Sequence, residues 1–380
     1  MKFSKLKFVS VFFYISYFLL LLNTLANKVN IISNYSGLIS KLSFIMLIAS
    51  FILSIVRLTK KQIFYNFILL LFLCISYFIC TNANFLILIL LVVTAKNLQL
   101  YNIFKYDFFI RILITLFIVL SFFLNQTSDI YFYEQGLIRY GYGFAHPNLL
   151  SFQLVVLYFE FIYIFGYKKK YLPLYIIALC FILYINNVYL GSRTCNYILI
   201  FTFIILLFYK RIVTYLSSSK SLTFLIRNLF LIMTIFTFCI TFLYKFDVGA
   251  KLNRVLSNRL YYNSYTINNY NISLFGQKMD FISNEDARLD SSLTTYILDN
   301  SYLVIIYQFG VIAYVAFLIL SKKTLNNLFK QKKYFEILIF AMILVDGFME
   351  SYMYKIIYNP FLFFMIYSIL GSDYDEKNEN

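Results

Sequence analysis

Long uninterrupted apolar runs recur along nearly the whole chain, and they dictate its solvent. Stretches such as 8–26 and 63–80 each supply the roughly 17–25 apolar residues with which an α-helix crosses about 30 Å of hydrocarbon. With 61% of its 380 residues apolar and 13% charged, the chain has too few polar groups to cover a water-facing surface. Closed β-barrels also satisfy their backbone in lipid, but they need alternating apolar and polar residues rather than continuous runs. The expected fold is therefore all-α, a polytopic integral membrane helical bundle of about twelve transmembrane helices. The spans read as 8–26, 38–56, 63–80, 84–95, 108–124, 147–166, 172–190, 195–209, 229–245, 301–320, 335–350 and 356–371. Residues 1–371 form one polytopic membrane domain in this reading, and 372–380 form a short acidic cytoplasmic tail.

A formal charge of +16 could signal nucleic acid, yet the basic residues sit in short clusters between apolar runs and form no single stripe or tail, so no nucleic-acid partner is expected. With the N-terminus in the cytoplasm, the inner segments carry Lys2, Lys5 and Lys7, then Arg57, Lys60 and Lys61, then Lys96 and Lys105, then Lys168, Lys169 and Lys170. Further along they carry Lys210, Arg211, Lys220 and Arg227, then Lys322, Lys323, Lys330, Lys332 and Lys333, and last Lys377. This bias places both termini in the cytoplasm of a multi-pass cell-membrane protein. Lys41 and Arg111 are left within helices. The first run follows three lysines, but Leu22, Asn23, Thr24 and Leu25 offer no small-x-small cleavage site, so it reads as a helix rather than a removed signal. The five cysteines fall in or beside apolar segments without metal spacing, which assigns them to packing.

Two outward segments are too long for simple turns: 125–146 between the fifth and sixth helices, and 246–300, a large extracytoplasmic loop between the ninth and tenth. The first ends in the only histidine, His146, followed by Pro147. Proline suits the first position of a helix, so His146 is expected at the mouth of the sixth helix, with Gly141, Gly143 and Arg139 nearby. A helix N-terminus beside an arginine favours the neutral ring, which can accept a proton, and the same terminus suits an anion. Capping the helix is the plainer role for this histidine.

The turn Gly191 to Thr194, G-S-R-T, is so short that Arg193 is expected at the membrane surface, either snorkelling or holding an anion with Ser192 and Thr194. The long loop mixes Lys251, Arg254, Arg259, Lys278 and Arg288 with Asp280, Glu285, Asp286, Asp290 and Asp299. It also carries Tyr261, Tyr262, Tyr265, Tyr270 and Phe275, and aromatic faces beside carboxylates suit sugar rings, although a merely solvated loop has the same composition. Glu160 and Asp346 lie inside apolar runs and read as braces between helices, whereas Glu350 lies nearer the outer face.

The segments G-F-A-H-P-N at 143–148, G-S-R-T at 191–194, S-N-R-L at 257–260, L-F-G-Q at 274–277 and D-N-S-Y-L at 299–303 occur in one order along the chain. In these motifs and in topology the chain resembles the O-antigen polymerase and ligase superfamily, specifically the repeat-unit polymerases of bacterial capsule and exopolysaccharide systems. The resemblance implies a metal-independent membrane glycosyltransferase without cofactor, working on the outer face of the cytoplasmic membrane. Its substrate would be an oligosaccharide on polyprenyl pyrophosphate, and its partners a chain-length regulator and a flippase of the same pathway. Under it, Arg193, Arg259 and Arg139 hold the pyrophosphate and His146 is the base. Asn148, Ser192, Thr194, Arg254, Arg288, Asp290, Asp299, Asn300, Tyr302 and Glu350 contact substrate. Related ligases place a histidine in the large loop; residues 246–300 contain none, which leaves Asp290 or Asp299 as alternative bases and an acceptor-positioning role for His146. Glycan ligation to another acceptor and a lipid-linked oligosaccharide flippase are the competing functions.

Overall fold

The computed structural model describes residues 2–55, 60–96, 98–127, 131–134, 137–282, 292 and 294–370. The first two apolar runs form α1 (Lys2–Leu25) and α2 (Asn30–Ile55), joined by a turn in which Val29 N donates to the Ala26 carbonyl at 3.0 Å. α2 buries Ser43, Leu47, Ser50 and Ser54 and turns Ile31, Leu38, Ile45 and Ile52 outward. The small inward residues let the two backbones approach, and the Ser50 hydroxyl donates to the Val9 carbonyl at 3.0 Å. α5 (Leu100–Phe123) repeats the pattern: it exposes Phe109, Leu113, Leu116, Leu120 and Phe123 and buries Asp107, Arg111 and Ser121. Large apolar side chains outside and charge inside is the reverse of a water-soluble helix, and it suits a lipid solvent.

Helices dominate the rest of the chain as well: α3 (Lys60–Cys80), α4 (Asn84–Ala95), α6 (Pro147–Phe165), α7 (Leu172–Ile185), α8 (Arg193–Ser218), α9 (Lys220–Arg227) and α10 (Leu229–Phe242). They continue with α11 (Asp247–Val255), α12 (Arg259–Asn269), α13 (Gly310–Lys330) and α14 (Tyr334–Asp346). A two-stranded antiparallel hairpin, β1 (Tyr131–Glu134) and β2 (Leu137–Tyr140), lies between α5 and α6 with Phe132 opposite Arg139.

Among the described residues six helices are long and apolar enough to cross a membrane, or seven if the pair Lys220–Arg227 and Leu229–Lys245, bent by 70°, is one span. That is compatible with a multi-pass membrane protein. Of the other apolar runs counted toward twelve, Asn84–Ala95 and Pro360–Ile369 fall short of full crossing length. The run 301–320 is interrupted at Gly310 after a π-helical segment, Val304–Gln308.

The chain divides into two compact units. One takes Met1–Arg57, Leu90–Ser218 and Ile357–Phe363, and the other takes Leu58–Ile89, Ser219–Ile356 and Phe364–Asn380. All six full-length helices lie in the first unit. In the second, the break at Gly310 is closed by the L-F-G-Q segment. Val311 N and Ile312 N, which have no partner inside a helix that starts there, donate to the carbonyls of Ser273 and Leu274 at 2.9 and 3.2 Å, and Gln277 N donates to Gln308 O at 3.0 Å. Gly276 and Gly310 both have positive φ, +89° and +87°, and a Cβ on either would fall onto the other strand's backbone. Gly276→Ala and Gly310→Ala are each expected to destabilise the protein by at least about 2 kcal/mol, read as a lowered melting temperature in detergent. A wild-type melt from either variant would mean that the crossing is not tight.

Candidate functional site

In the first unit, the segment around His146 is assembled by side chains that grip backbone. His146 is extended at φ −158° and its Nδ1 accepts from Asn148 N at 3.1 Å, with Pro147 in the first helical position, so the ring caps α6 as the sequence suggests. A neutral imidazole whose Nδ1 accepts carries its proton on Nε2.

Arg139 reaches from β2 and unites two of the motifs. Its Nε donates to the Leu190 carbonyl at 2.7 Å and its Nη2 donates to Asn148 Oδ1 at 2.7 Å. The guanidinium lies against Gly191, where a Cβ would come within 3.1 Å of Nε and where φ is +64°. Beneath the turn, Asn186 accepts from Ser151 Oγ at 2.6 Å and donates to the Ser192 carbonyl at 2.8 Å and to Asn196 Oδ1 at 2.6 Å. This amide network fixes the π-helical segment Asn186–Leu190 and hence the G-S-R-T turn. Arg193 opens α8 as an exposed residue, Thr194 is buried, and the buried Ser192 hydroxyl meets no partner among the described residues.

In the second unit, a charged knot gathers residues far apart in sequence. Arg259, at the start of α12, donates from Nε to the Met349 carbonyl at 2.8 Å. Its Nη2 lies 3.3 Å from Glu350 Oε1 and 3.5 Å from Asp299 Oδ2. The Glu350 side chain is 7% exposed and that of Asp299 35%, so the looser of the two pairs is also the one open to exchange. Lys355 faces the same two carboxylates. Burial pulls its ammonium down from 10.5 to about 8, against the opposing pull of Asp299 and Glu350.

The positive charge of Lys355 is therefore lost near pH 8. Any turnover that needs this second cation is expected to fall as pH rises through that value, and Lys355→Met is expected to remove that limb of the profile. Stability moves the other way. The unfolded lysine keeps its proton to about 10.5, so between about 8 and 10.5 the unfolded chain binds more protons and this residue's contribution to stability rises with pH. Parallel activity and melting profiles check both signs. Loss of both together on the alkaline side would contradict the assignment.

Two of the other expected contact residues hold backbone. Asn300 is fully buried; its Oδ1 accepts from Tyr302 N and Leu303 N at 3.1 and 3.2 Å, and its amide donates to the Phe348 carbonyl at 3.1 Å. Tyr302 is equally enclosed, and its hydroxyl donates to the Leu344 carbonyl. With Ser301, whose hydroxyl donates to the Glu350 carbonyl at 2.6 Å, these side chains bind backbone and fix the frame around Glu350. Arg254 is exposed on α11, and Arg288, Asp290 and the tail 372–380 lie outside the described residues. Lys355 was not singled out in the sequence; a lysine in an otherwise apolar and aromatic stretch, S-Y-M-Y-K-I-I-Y, is the signal that marks it. Among the described residues no group of three or more His, Cys, Asp or Glu is placed to hold a metal ion. No protein-family model, curated protein or solved structure matches the chain.

Proposed function

We propose that the chain is a bacterial membrane glycosyltransferase that joins oligosaccharide repeat units carried on polyprenyl pyrophosphate, at the outer face of the cytoplasmic membrane. The twelve-span topology with cytoplasmic termini belongs to this reading. The observation that carries it is the charged knot of the second unit, where Arg259 of S-N-R-L meets Asp299 of D-N-S-Y-L and Glu350. Transfer from a pyrophosphate carrier needs cations at the leaving group and a base at the acceptor hydroxyl. Arg259 and Lys355 supply the charge. An incoming pyrophosphate displaces the loosely held Asp299 from the guanidinium, and the released carboxylate takes the acceptor proton while Glu350 keeps Arg259 oriented. In the first unit, Arg193 stands exposed at the start of α8, while Arg139 directs its fork to Leu190 and Asn148 and so positions their segments.

The test separates capping from chemistry at His146. Asparagine can accept from Asn148 N as the ring does, so His146→Asn keeps the helix cap, which is worth about 1 kcal/mol, but removes the ring N–H. In cells that depend on the chain for surface polysaccharide, His146→Asn and Arg193→Ala are each expected to leave the protein in the membrane at normal amount and to reduce high-mass glycan at least about a hundredfold. Normal polymer from His146→Asn would reduce that residue to a cap, and normal polymer from Arg193→Ala would remove it from the site.

A further inference from the structure

The first unit holds a charged cluster that the transfer chemistry does not use. Asp107 and Arg111 face inward from successive turns of α5, and both side chains are at 0% exposure. Arg111 places Nε and Nη2 at 3.1 and 2.8 Å from Asp107 Oδ2. It donates from Nη1 to Gln153 Oε1 on α6 and from Nη2 to the Ile357 carbonyl at 3.1 Å, and Nη2 lies 3.4 Å from the Tyr17 hydroxyl of α1.

Glu160, two turns along α6 from Gln153, is also at 0% exposure. Its carboxyl lies within hydrogen-bonding reach of Asp107, yet neither of its oxygens meets a donor among the described residues. Two ionised carboxylates have no hydrogen to place between them, and the cation facing both, Arg111, already balances Asp107. A second bare charge in apolar surroundings is costly. One proton makes the set neutral and supplies the missing donor.

We infer that Asp107 and Glu160 form an intramembrane proton-binding site that holds one proton beside Arg111, with Glu160 as the carboxyl that carries it. Facing that proton are Asp107 and Arg111 of α5 and Tyr17 of α1, with Gln153 of α6 holding the guanidinium from the other side. The ligand class is the proton itself. A site of this kind lets the protein take up and release charge within the membrane, which a purely extracellular transfer reaction does not require.

The experiment treats the full-length protein in liposomes with dicyclohexylcarbodiimide, an apolar reagent that couples to protonated carboxyls, and maps the adducts by mass spectrometry across a pH series. The expected result is an adduct on Glu160 that declines as pH rises and is lost in Glu160→Gln. That variant is expected to melt at or above the wild-type temperature, because the amide has the shape of the protonated acid. Infrared spectra of the wild type should show a protonated-carboxyl C=O band that Glu160→Gln lacks; this reading of the wild type holds even if the variant folds poorly. Absence of both adduct and band in the wild type would overturn the assignment. So would a Glu160→Gln variant that folds but melts as low as Glu160→Ala, since that result requires an ionised carboxylate.

Discussion

Replacing Arg111 with alanine is expected to lower the unfolding free energy by about 3–5 kcal/mol, a large share of the stability of an ordinary domain. The loss comes less from the Arg111–Asp107 attraction than from what stays behind: a buried Asp107 facing Glu160 with no cation, and a Gln153 oxygen and an Ile357 carbonyl without their donor. Removing both members of the pair should therefore cost less than the sum of the single changes. Thermal melts of Arg111→Ala, Asp107→Ala and the double variant in detergent give the coupling directly. Additive losses would show that the two side chains do not act as a pair.

The second large effect is expected at Arg259, on turnover. Arg259→Ala should reduce the rate by about 10²–10³-fold, the usual effect of removing one preorganised charge from a transfer site. Arg259→Lys should recover little of it. One ammonium cannot hold the Met349 carbonyl, Glu350 and Asp299 as the planar fork does, so Glu350 loses its orientation even though a charge remains. Because Arg259 also grips backbone, melting curves of both variants must accompany the rates. A folded Arg259→Lys protein with near wild-type turnover would mean that a point charge suffices there.

Hydropathy located most helices because lipid demands apolar length, and it went astray where polar residues are paired inside the protein. The run expected at 108–124 begins at Leu100, eight residues earlier by sequence number. Lys105, Asp107 and Arg111 depress the apolar score of that stretch, but Asp107 and Arg111 neutralise each other within one helix. Likewise α2 starts at Asn30 rather than near 38: the polar side chains of its first turns are exposed, with the Ser33 hydroxyl donating back to the Asn30 carbonyl at 2.9 Å, and the buried Ser43, Ser50 and Ser54 come only later in the helix. The spacing of Asp107 and Arg111, four apart in an apolar run, was a readable sign of this pair.

Local motifs were more legible than long-range ones. A histidine before proline announced the N-cap of α6, and G-S-R-T announced a tight turn. By contrast, nothing local tells that Arg139 spans Leu190 and Asn148, or that Gly276 and Gly310 cross with no room for a side chain. The hairpin at Tyr131–Glu134 and Leu137–Tyr140 was missed because loop length overshadowed the β-prone pattern Y-F-Y and L-I-R-Y. Asn300 and Tyr302 belong to the D-N-S-Y-L motif. Their burial shows that a motif residue can serve the frame that holds its neighbours, here Asp299 and Glu350.

The most direct measurement supplies purified full-length protein with an oligosaccharide on polyprenyl pyrophosphate and resolves the products by size. The expected result is a ladder with repeat-unit spacing, still attached to the carrier, made by the wild type and not by Arg259→Ala. Transfer of a single glycan to a different acceptor, or movement of the lipid-linked substrate across a bilayer with no new glycosidic bond, would contradict polymerisation.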